Sequence, residues 1–185
     1  MTKFSVRLGI VPKIITVACF IIMSFALIKL TQVLLEGGFN IVYLSLIILL
    51  LISIVSPVFT MPVSIYALDD RLLLKKLLGS KTIFYSDIIV AERFSPKSDI
   101  RIFGSGGYWG FFGIFSNPRI GRYTAFVGDY KEAVLIQVAI AGGYKSYVVS
   151  CRNYDEFIML VNNNRDIRTI LSATTATANN YQNEN

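Results

Sequence analysis

Histidine is absent from this 185-residue chain. That removes both the commonest general base and the commonest transition-metal ligand, and it weighs against most catalytic readings. Cysteine is nearly absent, since Cys19 and Cys151 are the only two. Cys19 falls inside a long apolar run, so the rest of the chain has no partner for an internal disulfide. Cys151 is therefore expected to be a reduced, structural thiol, and it lacks the usual activating base for a nucleophile. No nucleophile, base and orienting group can be assembled, so no enzymatic activity is expected, and no cofactor or metal. A nucleic-acid-binding charge balance is missing as well. The net charge is +6, and the part from Asp69 onward supplies only +3 of it, from 14 basic and 11 acidic residues. That is far from the strongly basic surface a phosphate backbone requires.

Charge is also lacking over two long stretches, residues 14–28 and 37–68. The second runs for 32 residues, against the roughly 20 needed to cross a hydrocarbon core about 30 Å thick. The first has 15 uncharged residues between Lys13 and Lys29. Lys29 can snorkel, and continuing to Leu35 gives a helix about 33 Å long. Both stretches are expected to span a membrane, over about residues 14–35 and 40–59. The link Glu36-Gly37-Gly38-Phe39-Asn40 is too short for anything but an antiparallel helical hairpin, and its glycines end both helices.

Lysine and arginine precede the first span (Lys3, Arg7, Lys13) and follow the second (Arg71, Lys75, Lys76, Lys81), whereas the hairpin tip has only Lys29. Retention of the basic ends predicts that both termini and everything after the spans are cytoplasmic. A rival reading makes the first run a cleaved signal peptide with Ser24-Phe25-Ala26 near its cleavage site. The second span would then act as a stop-transfer segment, and the domain would still face the cytoplasm.

Past Pro57 and Pro62, which disfavour a continued helix, the apolar residues change period. Segments 63–68, 71–78, 82–85, 88–94, 122–127, 133–140 and 144–149 are strand-sized, β-rich and separated by turn residues, among them Asp69-Asp70, Gly79-Ser80 and Gly142-Gly143. Asn153 followed at the third position by Glu156 has the spacing of a capping box, so a helix is expected to start there. Phe157, Leu160 and Val161 give that helix one apolar face, and Asn162-Asn163-Asn164 is a natural stop. The last residues are mostly Thr, Ala, Asn and Gln, and 169–185 reads as a disordered polar tail.

Seven strands and a closing helix suggest a small barrel or curled sheet, and here a family resemblance enters. Tyr85-Ser86-Asp87-Ile88-Ile89, the run 101–113 from Arg101 to Gly113, Gly121-Arg122-Tyr123, Val148-Val149-Ser150 and Asp155-Glu156-Phe157 together resemble the bacterial pleckstrin-homology-like domain proteins. The resemblance covers about residues 63–163. It implies an α+β fold, a two-helix transmembrane hairpin followed by a mainly-β domain of about seven strands and one C-terminal helix. It also implies association with the bacterial inner membrane. The expected units are residues 1–62, 63–168 and the tail 169–185.

The densest local signal lies between Phe103 and Phe115, where Gly104, Gly107, Gly110 and Gly113 recur every third residue among aromatics. A dinucleotide fingerprint would need a third glycine where Trp109 stands, and no Lys-Ser or Lys-Thr follows as in a P-loop. Gly106 and Gly110 have the spacing of a helix-packing pair, but the segment is too glycine-rich to hold a helix. One reading is an inter-strand loop whose aromatics pack on the sheet and whose glycines allow positive φ. A second puts Tyr108, Trp109, Phe111 and Phe112 at the lipid interface, with Arg101, Arg119 and Arg122 available to anionic headgroups. A third makes the same residues a surface for a protein partner or a second copy.

The carboxylate pairs Asp69-Asp70 and Asp155-Glu156 read as a turn and as helix N-terminal charge. Arg71, Lys75 and Lys76 could touch anionic lipid or simply belong to the orientation signal. The function expected is a membrane-anchored, non-enzymatic cytoplasmic binding module for a protein, for itself or for lipid headgroups, with no nucleic acid. The alternative is an integral transport or envelope-stress component whose spans carry the activity, although neither span has an internal acid.

Overall fold

The computed structural model describes residues 1–38 and 40–183. The chain starts with a short strand, β1 (Thr2–Ser5), and then enters α1 (Ile10–Glu36). This first helix is 27 residues long, and Gly37 closes it by donating to the Val33 carbonyl at 2.9 Å. The next helix, α2 (Ile41–Thr60), opens where the Asn40 side chain accepts from the Val42 N–H at 2.9 Å. It runs through Pro57 and stops three residues later. A proline this close to a helix end removes one hydrogen bond without breaking the segment. The two helices pack against each other. Among the described residues only α1 is long and apolar enough to cross a membrane, and the apolar part of α2 is the shorter stretch Ile41–Pro57.

The seven expected strands are all present: β2 (Pro62–Ala67), β3 (Arg71–Lys76), β4 (Ser80–Phe84), β5 (Ile88–Arg93), β8 (Gly121–Val127), β9 (Ala133–Ile140) and β10 (Gly143–Ser150). Three more were not expected. These are β1 and the pair β6 (Ile100–Gly107) and β7 (Gly110–Asn117). The N-terminal residues therefore belong to the β domain as well as leading into the helices. Strands β1-β2-β3-β4 form one antiparallel sheet, and β5-β9-β10-β8-β7-β6 form the second, in which only β8 and β10 run parallel.

Period-two alternation sets the core. In β3, Leu72 and Leu74 point inward while Arg71, Leu73 and Lys75 do not. Strand β9 is buried on both faces, which accounts for its unbroken run Val134-Leu135-Ile136. Val134 and Ile136 meet the larger cluster, with Phe4, Ile65, Leu72, Tyr85, Phe157 and Val161, whereas Leu135 meets Phe94, Phe115, Tyr123 and Val127 on the other side.

Helix α3 (Tyr154–Asn183) covers one end of the larger cluster through Phe157 and Val161, both fully buried. Asn153 and Glu156 do meet, the Asn153 amide donating to the Glu156 carboxylate at 3.4 Å. Asn153 takes a φ of 61°, however, and so does not have the extended backbone usual for a helix cap. The asparagine run does not stop the helix, and residues 169–183, expected as tail, continue it. Neither glycine nor proline follows Asn164 to interrupt it. Glu184 and Asn185 of that expected tail lie outside the described residues.

Candidate functional site

The glycine-aromatic segment is a β-hairpin rather than a loop. Its register pairs Gly104 with Gly113 and Gly107 with Gly110, leaving Tyr108 and Trp109 as the turn. Gly104 and Gly113 have φ of 109° and 118°. A Cβ on Gly104 would lie 2.1 Å from the Phe112 carbonyl oxygen, and one on Gly113 would lie 2.2 Å from that of Phe103. Both clashes are with backbone, so the two strands approach this closely only because neither position carries a side chain.

The tip of the hairpin is docked on the apolar helices. The backbone N–H of Trp109 donates to the Thr16 hydroxyl in α1 at 2.9 Å, and that hydroxyl donates to the Pro12 carbonyl at 2.7 Å. The Tyr108 hydroxyl donates to the Ile54 carbonyl of α2 at 3.2 Å, and the two rings lie edge to face, 6.4 Å apart. The Ser105 hydroxyl braces the turn by donating to the Tyr108 carbonyl at 2.6 Å. Gly107 sits so close to α1 that a Cβ there would be 2.6 Å from Ile15 Cδ1. The tip is thus neither in the domain core nor free. It joins the β domain to the first turns of α1 and the last turns of α2.

The remaining candidates are distributed along the hairpin. Phe111 packs on the Tyr130 ring at 4.7 Å, beside a cavity of about 270 Å³ that Ile10, Val11 and Pro12 also line. Phe112 is half-buried opposite Phe126 on β8. Arg101 is exposed and folds along β6 toward Gly106, where a Cβ would be 2.9 Å from its guanidinium. Arg119 lies in the β7–β8 turn and pairs with Glu92 at 3.1 Å, both side chains exposed. Such a pair contributes at most about 1 kcal/mol. Arg122 is paired in register with Ser116. Strand β7 has eight residues, Gly110 beside the tip and Asn117 at the other end. Tyr108 and Trp109 are at one end, and Arg119 and Arg122 are at the other. Arg119 and Arg122 are not grouped with the Tyr108-Trp109 turn, whereas the Arg101 guanidinium reaches back to Gly106 beside it.

A polar network not read from the sequence lies at the arginine end. Asp99 accepts from the Tyr123 hydroxyl and the Asn117 amide, and the Tyr123 and Tyr130 hydroxyls are 3.2 Å apart. Burial, and then the Asp99 and Tyr130 partners, push the Tyr123 phenol far above its ordinary value. Asn117 also accepts the Arg119 N–H at 2.8 Å, which shapes the turn. The Asn117-Pro118 pair signals a turn, but nothing in the sequence links it to Asp99. The carboxylate Asp70 ion-pairs with its neighbour Arg71 at 2.9 Å in the β2–β3 turn, and the hydrogen bond from Arg71 holds its carboxyl below the usual range.

Cys151 is buried in the larger core, and burial followed by the Glu132 charge raises its thiol from 9.0 to about 12. Burial first of all also raises the phenols of Tyr85 and Tyr130 from 10.0 to about 12. All three groups are neutral in the folded state over a range where the unfolded chain ionises. The stability they contribute is complete below the unfolded values and is lost as pH rises toward the folded ones. The melting temperature of the full chain in detergent should therefore be level to about pH 9 and fall steadily toward about pH 12. A melting temperature unchanged across that window would contradict the burial of these groups.

Comparison with known families matches residues 64–164 to the bacterial PH domain family, 101 of the 185 residues. The chain belongs to that family. The match begins in β2 and ends in α3, so β1 and both apolar helices lie outside it. No curated protein and no solved structure matches the chain.

Proposed function

We propose that this protein is a membrane-anchored, non-enzymatic binding module. Helices α1 and α2 cross the bacterial inner membrane as a hairpin and hold the PH domain on the cytoplasmic side. There it engages a protein, a second copy of itself or lipid headgroups.

The observation that carries this reading is the surface of α1. Its apolar window is not buried anywhere within the protein, and Phe20, Ile21, Ile22, Phe25 and Ile28 are each more than half exposed. An apolar surface of this length is tolerated in lipid and is costly in water. The hairpin tip meets α1 near its start, at Ile15 and Thr16, and Phe20 to Ile28 lie beyond that contact. Leu49 and Ile52 of α2 are exposed in the same way. Ile41–Pro57 is a stretch at the short end of what spans. The absence of histidine and the buried, strongly protonated Cys151 thiol support a binding role over a catalytic one.

Flotation of the full chain on a density gradient after washing with high salt and with urea tests the anchor. The chain should remain with the membranes, and its release would overturn the reading. A reporter placed after Asn185 should be cytoplasmic, and one inserted between Gly37 and Gly38 should be outside. The opposite pattern would refute the orientation.

A further inference from the structure

We propose that Lys3, Lys75, Lys76, Lys81 and Lys145 form a rim that binds the anionic headgroups of the same bilayer the helices enter. This rests on the anchored reading above. The rim is close to the helix end. In the β3–β4 turn, the Leu78 N–H donates at 3.2 Å to the carbonyl of Phe59, one residue before α2 ends. Leu77 and Leu78 in that turn are 56% and 65% exposed. They stand as apolar residues beside an apolar helix, flanked by the lysines of β3 and β4.

The five lysines come from four strands and converge on three rings. Lys3 and Lys75 lie 5.7 and 6.0 Å from the centre of the Tyr66 ring. Lys81 and Lys145 lie 5.8 and 5.6 Å from that of Tyr147, and Lys76 lies 4.7 Å from that of Phe126. The aromatic faces offset part of the repulsion between neighbouring ammonium groups, and an external anion would remove more of it. None of the ion pairs among the described residues includes a lysine. Strands β1 to β4 contain no aspartate or glutamate, and Asp69 and Asp70 are at the opposite end of β3. Beside Lys75 and Lys76 runs a surface groove of about 460 Å³, which Tyr66, Leu73, Leu77 and Ser80 also line.

Lysine suits this occupant. An ammonium is a compact, hydrated point charge on a flexible stem, fitted to a diffuse anionic surface rather than to one planar group. Lys75, Lys76 and Lys81 are within a few residues of the β3–β4 turn. That places them inside the roughly 8–10 Å over which a charged bilayer is felt at physiological salt.

The test is lysine acetylation with a neutral reagent, read residue by residue by mass spectrometry. The full chain is reconstituted in vesicles of phosphatidylcholine alone or with about one-third phosphatidylglycerol. Labelling of Lys75, Lys76, Lys81 and Lys145 should fall by about threefold or more in the anionic vesicles, in line with roughly fivefold in affinity for each basic residue near such a surface. High salt should restore it. Lys97, whose carbonyl accepts from Asn117 at the far end of the hairpin, should be unaffected. Equal labelling in the two vesicles by a chain that still floats with them would overturn the proposal and leave the anchor standing. A chain that does not float would bring down both readings.

Discussion

Gly113→Ala is expected to destabilise the protein by at least about 3 kcal/mol and to detach the β6–β7 hairpin from the apolar helices. Two costs add at this position. The backbone φ of 118° is one that residues with a Cβ rarely adopt, and the new Cβ would lie 2.2 Å from the Phe103 carbonyl oxygen. Backbone strain of that kind costs on the order of 1–3 kcal/mol. The clash adds to it, because relieving it requires the two strands to separate, with loss of the bonds beside the Gly104–Gly113 pair. Gly142→Ala is the internal control. Its φ is 86°, but nothing lies within 4 Å of the added Cβ, so it should cost no more than about 1–2 kcal/mol. Thermal unfolding of the full-length variants in detergent measures both. Equal losses would mean that the close approach of the strands contributes nothing. Separation of the hairpin should also shift the fluorescence of Trp109, the only tryptophan, since its backbone N–H is tied to Thr16 of α1 and its buried indole N–H would become exposed to water.

Phe157→Ala should cost about 3–5 kcal/mol, a large part of the ~5–15 kcal/mol that keeps a domain folded. Phe157 is fully buried, and its ring meets that of Phe4 edge to face with centres 5.1 Å apart. The cavity left behind would lie between α3 and β1. Strand β1 has only four residues, and it leads into α1 by way of Ser5, whose carbonyl accepts from Arg152 at 3.0 Å. The variant should therefore show faster amide hydrogen exchange in β1 than in β9, in addition to its lower melting temperature. Met159→Ala, on the exposed side of the same helix, should change stability by no more than about 0.5 kcal/mol. A similar loss for both substitutions would show that α3 is not docked through the face that Phe157 and Val161 share.

The strands that were legible in the sequence are the strand-sized, β-rich runs bounded by turn residues, such as 71–76 between Asp69-Asp70 and Gly79-Ser80, and 144–149 after Gly142-Gly143. The ones that were missed lack that signal. β1 is Thr-Lys-Phe-Ser, too short to show a period, and its partner β2 is about 60 residues away across both helices. β6 and β7 are glycine-rich, a composition depleted in strands. They form because the register sets glycine against glycine and because the turn finds acceptors on α1 and α2. The helix start at 153–156 was legible from side-chain spacing, but the helix end was not. An asparagine run lowers helix propensity by a few tenths of a kcal/mol per residue and does not terminate a helix as glycine or proline can.

By itself the sequence determined the order of the parts: two apolar helices at the start, then a β-rich domain with seven of its strands and a closing helix. These follow from hydrophobic period and length, which are local properties. It also determined the chemical character, with no histidine and with lysines and arginines on both flanks of the apolar helices. The tertiary structure alone decided which residues share a surface. It spread the seven candidate residues along a hairpin, with Tyr108 and Trp109 at its tip and Arg119 and Arg122 at the far turn, and it drew Lys3 and Lys145, more than 140 positions apart in the chain, to the same end of the domain as Lys75, Lys76 and Lys81. Strand pairing and sheet curvature set such neighbourhoods, and both depend on contacts between segments distant in sequence, which no local pattern encodes.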